Sequence, residues 1–294
     1  MTIAVLGSMN IDVTSYSERL PRPGETIHGE SYVLGLGGKG ANQAVAVARL
    51  GGDLRFIARS GRDAFGGQAR KELERYGVST GLVAEDEKAL TGIAIISVDA
   101  TAQNSITVIP GANFAVGSED VARLVALKPA PQVLLLQLEV PVATTIAAAE
   151  AARKLGATVI LDPAPVPKAG VPDALIALCD VVTPNEVECA GLTGILPETP
   201  AEAEKAARLI ATKGPRHVIV KMGGRGAYWL SEGKGGHCPP FKVVPIDTVA
   251  AGDCFNGGLG VALASGMPFA EAVRFASACG ALSTTKRGSA AAAT

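Results

Sequence analysis

The chain has 294 residues with 27 basic and 28 acidic side chains and no dense Lys/Arg run, so nothing in it suggests an electrostatic footprint for nucleic acid or an anionic membrane, and a small-molecule partner is expected. Hydrophobic residues make up 48% but aromatics only 4%, with Ala and Gly abundant, which suits helices packed closely on a sheet and points to an α/β class. The five cysteines, Cys179, Cys189, Cys238, Cys254 and Cys279, are scattered and form no C-x-x-C pair, which argues against a disulfide framework or a zinc site and fits a reducing compartment.

Ile3 to Leu6 enters a strand-like apolar run directly, with no basic segment and long apolar stretch of a secretory leader. The longest apolar run, Val133 to Leu138, is far short of the ~20 residues that cross a bilayer, so the expectation is a cytoplasmic protein with no membrane partner. Buried strands are predicted at Ile3 to Leu6, Leu54 to Ala58, Val133 to Leu138, Thr158 to Leu161, Val181 to Thr183 and His217 to Val220. Helical patterns lie between them at Ala41 to Leu50, Phe65 to Tyr76, Val142 to Leu155 and Ala201 to Lys213, closed by Gly51, Gly77, Gly156 and Gly214. This alternation predicts one doubly wound, mostly parallel α/β domain over residues 1–294. Glu25 to Leu34 and Thr91 to Ile109 break the rhythm and read as antiparallel strands of a small separate sheet, a β lid over approximately residues 12–35 and 91–110. An edge hairpin without function would look the same.

Five segments could carry chemistry. In Asp247 to Gly258, the small residues Ala250, Ala251 and Gly252 precede a helix start, where backbone amides and the positive dipole end can hold an anion. Asp253 is then either a base for an attacking hydroxyl or a helix N-cap. Gly35 to Ala44 contains G-x-G-x-x-G, but it does not open the first strand-to-helix turn as a dinucleotide site requires. It fails as a Walker A loop too, because Lys39 is followed by Gly40 and Val33 stands at the first glycine position. What remains is a glycine turn with Lys39 and Asn42 facing a polar ligand, or a helix entry with a solvated lysine. Asn10 and Asp12 follow the first strand, where open α/β sheets bind ligands, and suit paired hydroxyls; an Asx turn is the alternative. Asn185 and Glu188 are three apart, placed either to orient phosphate and magnesium or to form a capping box. Lys221-Met222-Gly223-Gly224-Arg225-Gly226 after a buried strand is a glycine loop able to pass under a nucleotide, or a tight β-turn.

Gly7 to Asp12, Pro23 to Thr26, Gly37 to Ala44, Gly61-x-Asp63, Gly111 to Asn113, Gln137 to Glu139, Asp162 to Pro165 and the Asp253 segment together resemble, in order along nearly the whole chain, the PfkB carbohydrate kinase family of ribokinase type. The resemblance implies ATP-dependent phosphorylation of a sugar, with ribose and its 5-hydroxyl as the leading acceptor; deoxyribose, a nucleoside, or a catalytically silent sensor on the same fold are the alternatives. It implies that Asn10, Asp12, Gly38, Lys39, Gly40, Ala41, Asn42 and Glu139 hold the sugar, that Asp253 is the base, and that Ala250, Ala251 and Gly252 form the anion hole. Asn185, Glu188, the loop from Lys221 to Gly226, Gly252, Asp253 and Ser277 would lie along MgATP. Asp247, Val249, Ser283, Lys286, Gly288 and Ala292 match a potassium site, partly through backbone carbonyls. Ser277 replaces a frequent His, and Ala292 stands where such kinases often carry Ser. The lid is expected to cover the sugar and to form a homodimer contact.

Overall fold

In a computed structural model of the chain, which describes residues 2–101, 103–286 and 288, the elements follow the alternation closely. The chain opens with β1 (Thr2–Leu6), passes into β2 (Asn10–Ser17) and β3 (Ser31–Gly37), and enters α1 (Lys39–Arg49). Next come β4 (Asp53–Gly61), α2 (Ala64–Arg75), β5 (Val83–Asp86), β6 (Gly92–Asp99) and β7 (Asn104–Ile109). The second half runs α3 (Ser118–Ala126), β8 (Val133–Leu136), α4 (Val142–Lys154), β9 (Thr158–Leu161), α5 (Asp173–Leu178), β10 (Val181–Val182), α6 (Glu186–Thr193), α7 (Pro200–Ala211) and β11 (His217–Lys221). A hairpin of β12 (Ala227–Ser231) and β13 (Lys234–Cys238), then α8 (Ala251–Ala264) and α9 (Phe269–Ser283), complete it.

Among the described residues the main sheet has nine strands in the order β13-β12-β11-β10-β9-β8-β1-β4-β5. All neighbours from β11 to β5 are parallel, and β12 and β13 add an antiparallel edge. Alternating side chains serve two helix layers. Ala4, Leu6, Leu134 and Leu136 face Ala148, Ala149 and Ala152 of α4 and Leu124 of α3. Ile3, Val5, Val133 and Leu135 face α1, α8 and α9 through residues such as Ala44, Leu259 and Ala276. Buried alanines let these helices approach the sheet closely, as the composition implied. The order reverses between β1 and β8, so a crevice opens beyond their carboxyl ends, the ligand position of open α/β sheets.

A second sheet has the order β3-β2-β6-β7. Its outer pairs are antiparallel, as expected, while its central pair, β2 and β6, is parallel. Both strands leave the carboxyl end of a parallel strand of the main sheet, β1 and β5 respectively, so they climb side by side in one direction. Asn10 to Asp12 therefore belongs to a strand paired on both sides, which removes the Asx-turn alternative. The strand expected from Glu25 begins only at Ser31. Glu25 instead accepts hydrogen bonds from the Arg19 guanidinium and from the Arg22 amide at 3.0 Å, closing the Pro-rich turn before β3. The Gly61-x-Asp63 motif joins the two sheets: Asp63 caps α2 through the Gly66 amide and accepts from the Thr91 amide at 2.7 Å, just before β6.

Candidate active site

Helix α8 starts at Ala251, with Ala250 at φ 61°, a left-handed conformation that costs a non-glycine residue roughly 1–2 kcal/mol. Strain of this kind recurs at functional sites, and here it turns the chain sharply enough to present the first-turn amides. Ala251 N donates to Thr248 O at 3.3 Å, while the amides of Gly252 and Asp253 have no carbonyl four residues back within the helix, an arrangement able to hold an anion. Asp253 lies inside the first turn rather than at its cap, so the cap alternative falls away. Only 4% of the residue is exposed. Its Oδ2 accepts from Asn42 Nδ2 at 3.0 Å and its Oδ1 from Gln43 Nε2 at 3.2 Å. Burial, together with the nearby Asp162 carboxylate, raises Asp253 to about 6 against the pull of Lys39 and these two amides.

Beyond β1 and β8 the residues expected to hold the sugar converge. Ser8 Oγ donates to Glu139 Oε2 at 2.6 Å and accepts from the Gly40 amide at 3.2 Å, and the Lys39 amide donates to the same Glu139 oxygen at 2.9 Å. Glu139 thereby pins the start of α1, where Gly38 sits at φ 86°. Ala41 N donates to Ser8 O at 2.8 Å, so Gly40 and Ala41 are packing partners of the β1 end, able to reach a ligand only through backbone. Asn10 is fixed by Asn113, whose Nδ2 donates to Asn10 Oδ1 at 2.7 Å. Asp12 is raised to about 6, first by burial and then by repulsion from Glu139. Its carboxylate fills the space that a β-carbon on Gly37 would need, 2.0 Å away, which is why that glycine is there. Asn42 Oδ1 is buried with no protein partner among the described residues, an acceptor available to a hydroxyl. Burial would lower Lys39, but Asp253, Asp162, Glu139 and Glu188 outweigh it and hold the ammonium charged well above its usual range.

On the other side, Asn185 and Glu188 do form a reciprocal capping box on α6: Glu188 N donates to Asn185 Oδ1 at 2.9 Å and Asn185 N to Glu188 Oε2 at 2.8 Å. Burial raises Glu188 despite the nearby Lys221. Met222 to Gly226 is a tight turn between β11 and β12, with Gly223 and Gly226 at positive φ, while Gly224 has open space around it. The Met222 side chain turns into the core, and Arg225 binds Glu186 and the Glu198 carbonyl at 2.9 Å each. Lys221 points away from this turn, toward Asp162. Ser277, on α9, donates to Val273 O at 2.8 Å.

The proposed cation segments do lie together. Asp247 accepts from Val249 N through Oδ1 and from Gly288 N through Oδ2, each at 2.9 Å, and the amides of Ile246 and Asp247 donate to Thr284 O. Ser283 Oγ donates to Gly280 O and Lys286 N to Ser283 O. Ala292 falls outside the described residues.

Two buried residues of this centre were not among the sequence-derived site residues, Gln43 and Asp162; Lys221, expected along the nucleotide, is the ion-pair partner of Asp162. The available signal was the pair Asn42-Gln43 on a helix whose residues from Gly40 to Val47 are all buried, since polar side chains there require polar partners.

The sequence profile of pfkB family carbohydrate kinases matches residues 2–294. The chain is 39% identical to a ribokinase of Haemophilus influenzae, over 98% of this chain and 93% of that relative. It is 38% identical to a deoxyribokinase of Salmonella typhi, over 87% of this chain and 84% of the relative. Among solved structures, Arabidopsis thaliana ribokinase complexed with ribose and ATP matches with TM-score 0.89 and 32% identity, over 99% of this chain and 94% of that one. Thermotoga maritima ribokinase matches with TM-score 0.87 and 36% identity, over 99% and 95%.

Proposed function

The chain belongs to the pfkB family of carbohydrate kinases, and from that premise we propose that it transfers the γ-phosphoryl group of ATP to the 5-hydroxyl of ribose. The observation that carries the reading is the buried Asp253 carboxylate at the first turn of α8, facing Asn42 at the β1/β8 crevice. Asn10, Asp12, Asn42 and Glu139 supply the amides and carboxylates that pair with sugar hydroxyls, with Lys39 between them and the base. Asp253 accepts the hydroxyl proton as the sugar oxygen attacks phosphorus; the bond to the bridging oxygen breaks and ADP leaves. The amides of Ala251 and Gly252 meet the charge on the transferring oxygens. A silent sensor would have no need of a base held by two buried amides.

Asn185 and Glu188 offer hard oxygen donors on the nucleotide side, which suits magnesium, an ion that takes most of its ligands from water and phosphate. Among the described residues no cluster of three acidic, His or Cys side chains forms a dedicated cage, in keeping with that habit. Asp247 with the backbone of Val249, Ser283, Lys286 and Gly288 is an oxygen-rich pair of segments that fits potassium, whose charge would add to that of the anion hole. No helix among the described residues is long and apolar enough to cross a membrane. The five cysteines are all free thiols, which suits a reducing compartment, and on that ground we place the enzyme in the cytoplasm.

A deoxyribokinase at 38% identity keeps deoxyribose as the second acceptor. A coupled ADP-release assay over ribose, deoxyribose, hexoses and nucleosides, with and without potassium, is expected to give the highest kcat/KM with ribose and stimulation by potassium. A higher kcat/KM for deoxyribose would reassign the acceptor, and no release with any sugar would leave the sensor.

The lid is the dimer surface in this reading. Val33, Thr14, Ile96 and Ile106 form one cross-strand row, next to the row of Asp12, Ala94 and Val108. Val33, Ile106 and Val108 are more than half exposed, and apolar rows of this kind on a sheet mark a protein contact. Wild-type chain should scatter light as a dimer and the Ile106→Lys, Val108→Lys double variant as a monomer; a monomeric wild type or an unchanged variant would refute the contact.

A further inference from the structure

Lys221 ends β11, and its side chain is 12% exposed. Its Nζ lies 2.9 Å from Asp162 Oδ1, a carboxylate only 3% exposed. The same Nζ is the nearest atom, at 3.4 Å, to the point a β-carbon on Gly252 would occupy. An ammonium is thus held against the positive end of α8, where the helix dipole opposes it unless an anion is bound between them. Asp162 offsets one charge, but its other oxygen is turned to Gln43, whose Nε2 spans Asp162 Oδ2 at 3.4 Å and Asp253 Oδ1 at 3.2 Å. Gln137 Nε2 donates to Gln43 Oε1 at 2.6 Å, which orients the Gln43 amide with its hydrogens toward the two carboxylates. An arriving terminal phosphate enters a site rich in carboxylates, and a fixed ammonium at Gly252, together with that of Lys39, favours its approach.

Resting on the kinase reading, we propose that Lys221 contacts the transferring phosphoryl group in the anion hole, and that Asp162 and Gln43 are positioning residues linking this lysine to the base. The lysine acts where charge develops, so its loss should appear in turnover and in the affinity for ATP but not for ADP. The groups facing Asp253 are Lys39, Asn42 and Gln43 from α1 and Asp162 beyond β9. Without the Lys221 charge, Asp162 repels the base more strongly, and ionisation of Asp253 requires a higher pH.

The test uses the full chain. Lys221→Met is expected to lower kcat about 10²-fold, the loss typical of one donor in such a hole, with sugar KM and calorimetric ADP affinity unchanged, ATP affinity reduced, and the acid limb of the kcat profile moved to higher pH. Lys221→Arg should recover part of the turnover. If Lys221→Met unfolds because Asp162 is left unpaired, Lys221→Met with Asp162→Asn restores a neutral pair; it should fold and still turn over slowly. Wild-type-like kcat in either Met variant, or equal loss of ATP and ADP affinity, overturns the proposal. A wild-type enzyme inactive on every sugar would instead defeat the kinase reading.

Discussion

Asp253→Asn is expected to reduce kcat about 10³-fold, within the range of ~10²–10⁴ that a positioned base supplies, while calorimetry still shows ATP binding. The amide keeps the shape of the carboxylate: its oxygen can accept from Gln43 Nε2, and its NH2 can donate to the unpartnered Asn42 Oδ1 once the Asn42 amide flips, so the α8 terminus stays in place, but it cannot accept the hydroxyl proton. In the unsubstituted enzyme kcat should fall as pH drops through about 6, because burial raises Asp253 to that value and only its ionised form is a base. The sign is fixed by the role: a general base is lost on protonation, so the limb is on the acid side. Turnover of Asp253→Asn within tenfold of wild type would remove Asp253 from the chemistry.

Gly40→Ala is expected to cost about 3 kcal/mol of stability and to impair sugar binding together. A β-carbon at Gly40 would sit 2.6 Å from Ser8 N and 2.7 Å from both Gly7 C and Ser8 O. All three are backbone atoms, so no side-chain rotation relieves the clash, and overpacking of this kind costs ~1–3 kcal/mol. Pushing α1 away from β1 also stretches the bonds from Gly40 N to Ser8 Oγ and from Ala41 N to Ser8 O, each worth ~0.5–1.5 kcal/mol. Because Ser8 and Lys39 share Glu139, the same displacement loosens the sugar side. Gly67→Ala in α2 is the control: a β-carbon there meets nothing within 4 Å, and the change should stabilise by about 0.5–1 kcal/mol. Urea midpoints for the two variants check both signs, and a Gly40→Ala midpoint equal to wild type would mean that the close α1/β1 approach is not required.

Much of the architecture was legible along the chain. The apolar runs at Ile3 to Leu6, Val133 to Leu138 and His217 to Val220 became buried strands, the second ending already at Leu136, because parallel strands covered on both faces cannot alternate with polar residues. Gly51, Gly77, Gly156 and Gly214 marked helix ends because each takes a positive φ. The β6–β7 hairpin was visible too, but neither β2 as a strand nor its parallel pairing with β6 was, since pairing direction follows from where strands enter the sheet and not from their own residues. Glu25 looked like a strand start because its ion pair with Arg19 depends on how the intervening turn folds.

Asp253 shows where the division falls. Its small-residue surroundings and the glycines of Gly37 to Gly40 specified by themselves a helix start and a tight helix entry, which are local properties set by side-chain size and backbone freedom within a few residues. The ordered series of motifs implied a sugar kinase through its resemblance to a known family. Whether Asp253 lay at the helix cap or inside the first turn, and whether Lys221 pointed to the glycine loop or to Asp162, was decided only when α1, β9, β11 and α8 met. Asp253 and Gln43 are 210 positions apart, and Lys221 and Asp162 are 59 apart. A carboxylate's ionisation and a lysine's direction depend on burial and on charges brought close in space, and no local pattern of residues encodes those distances.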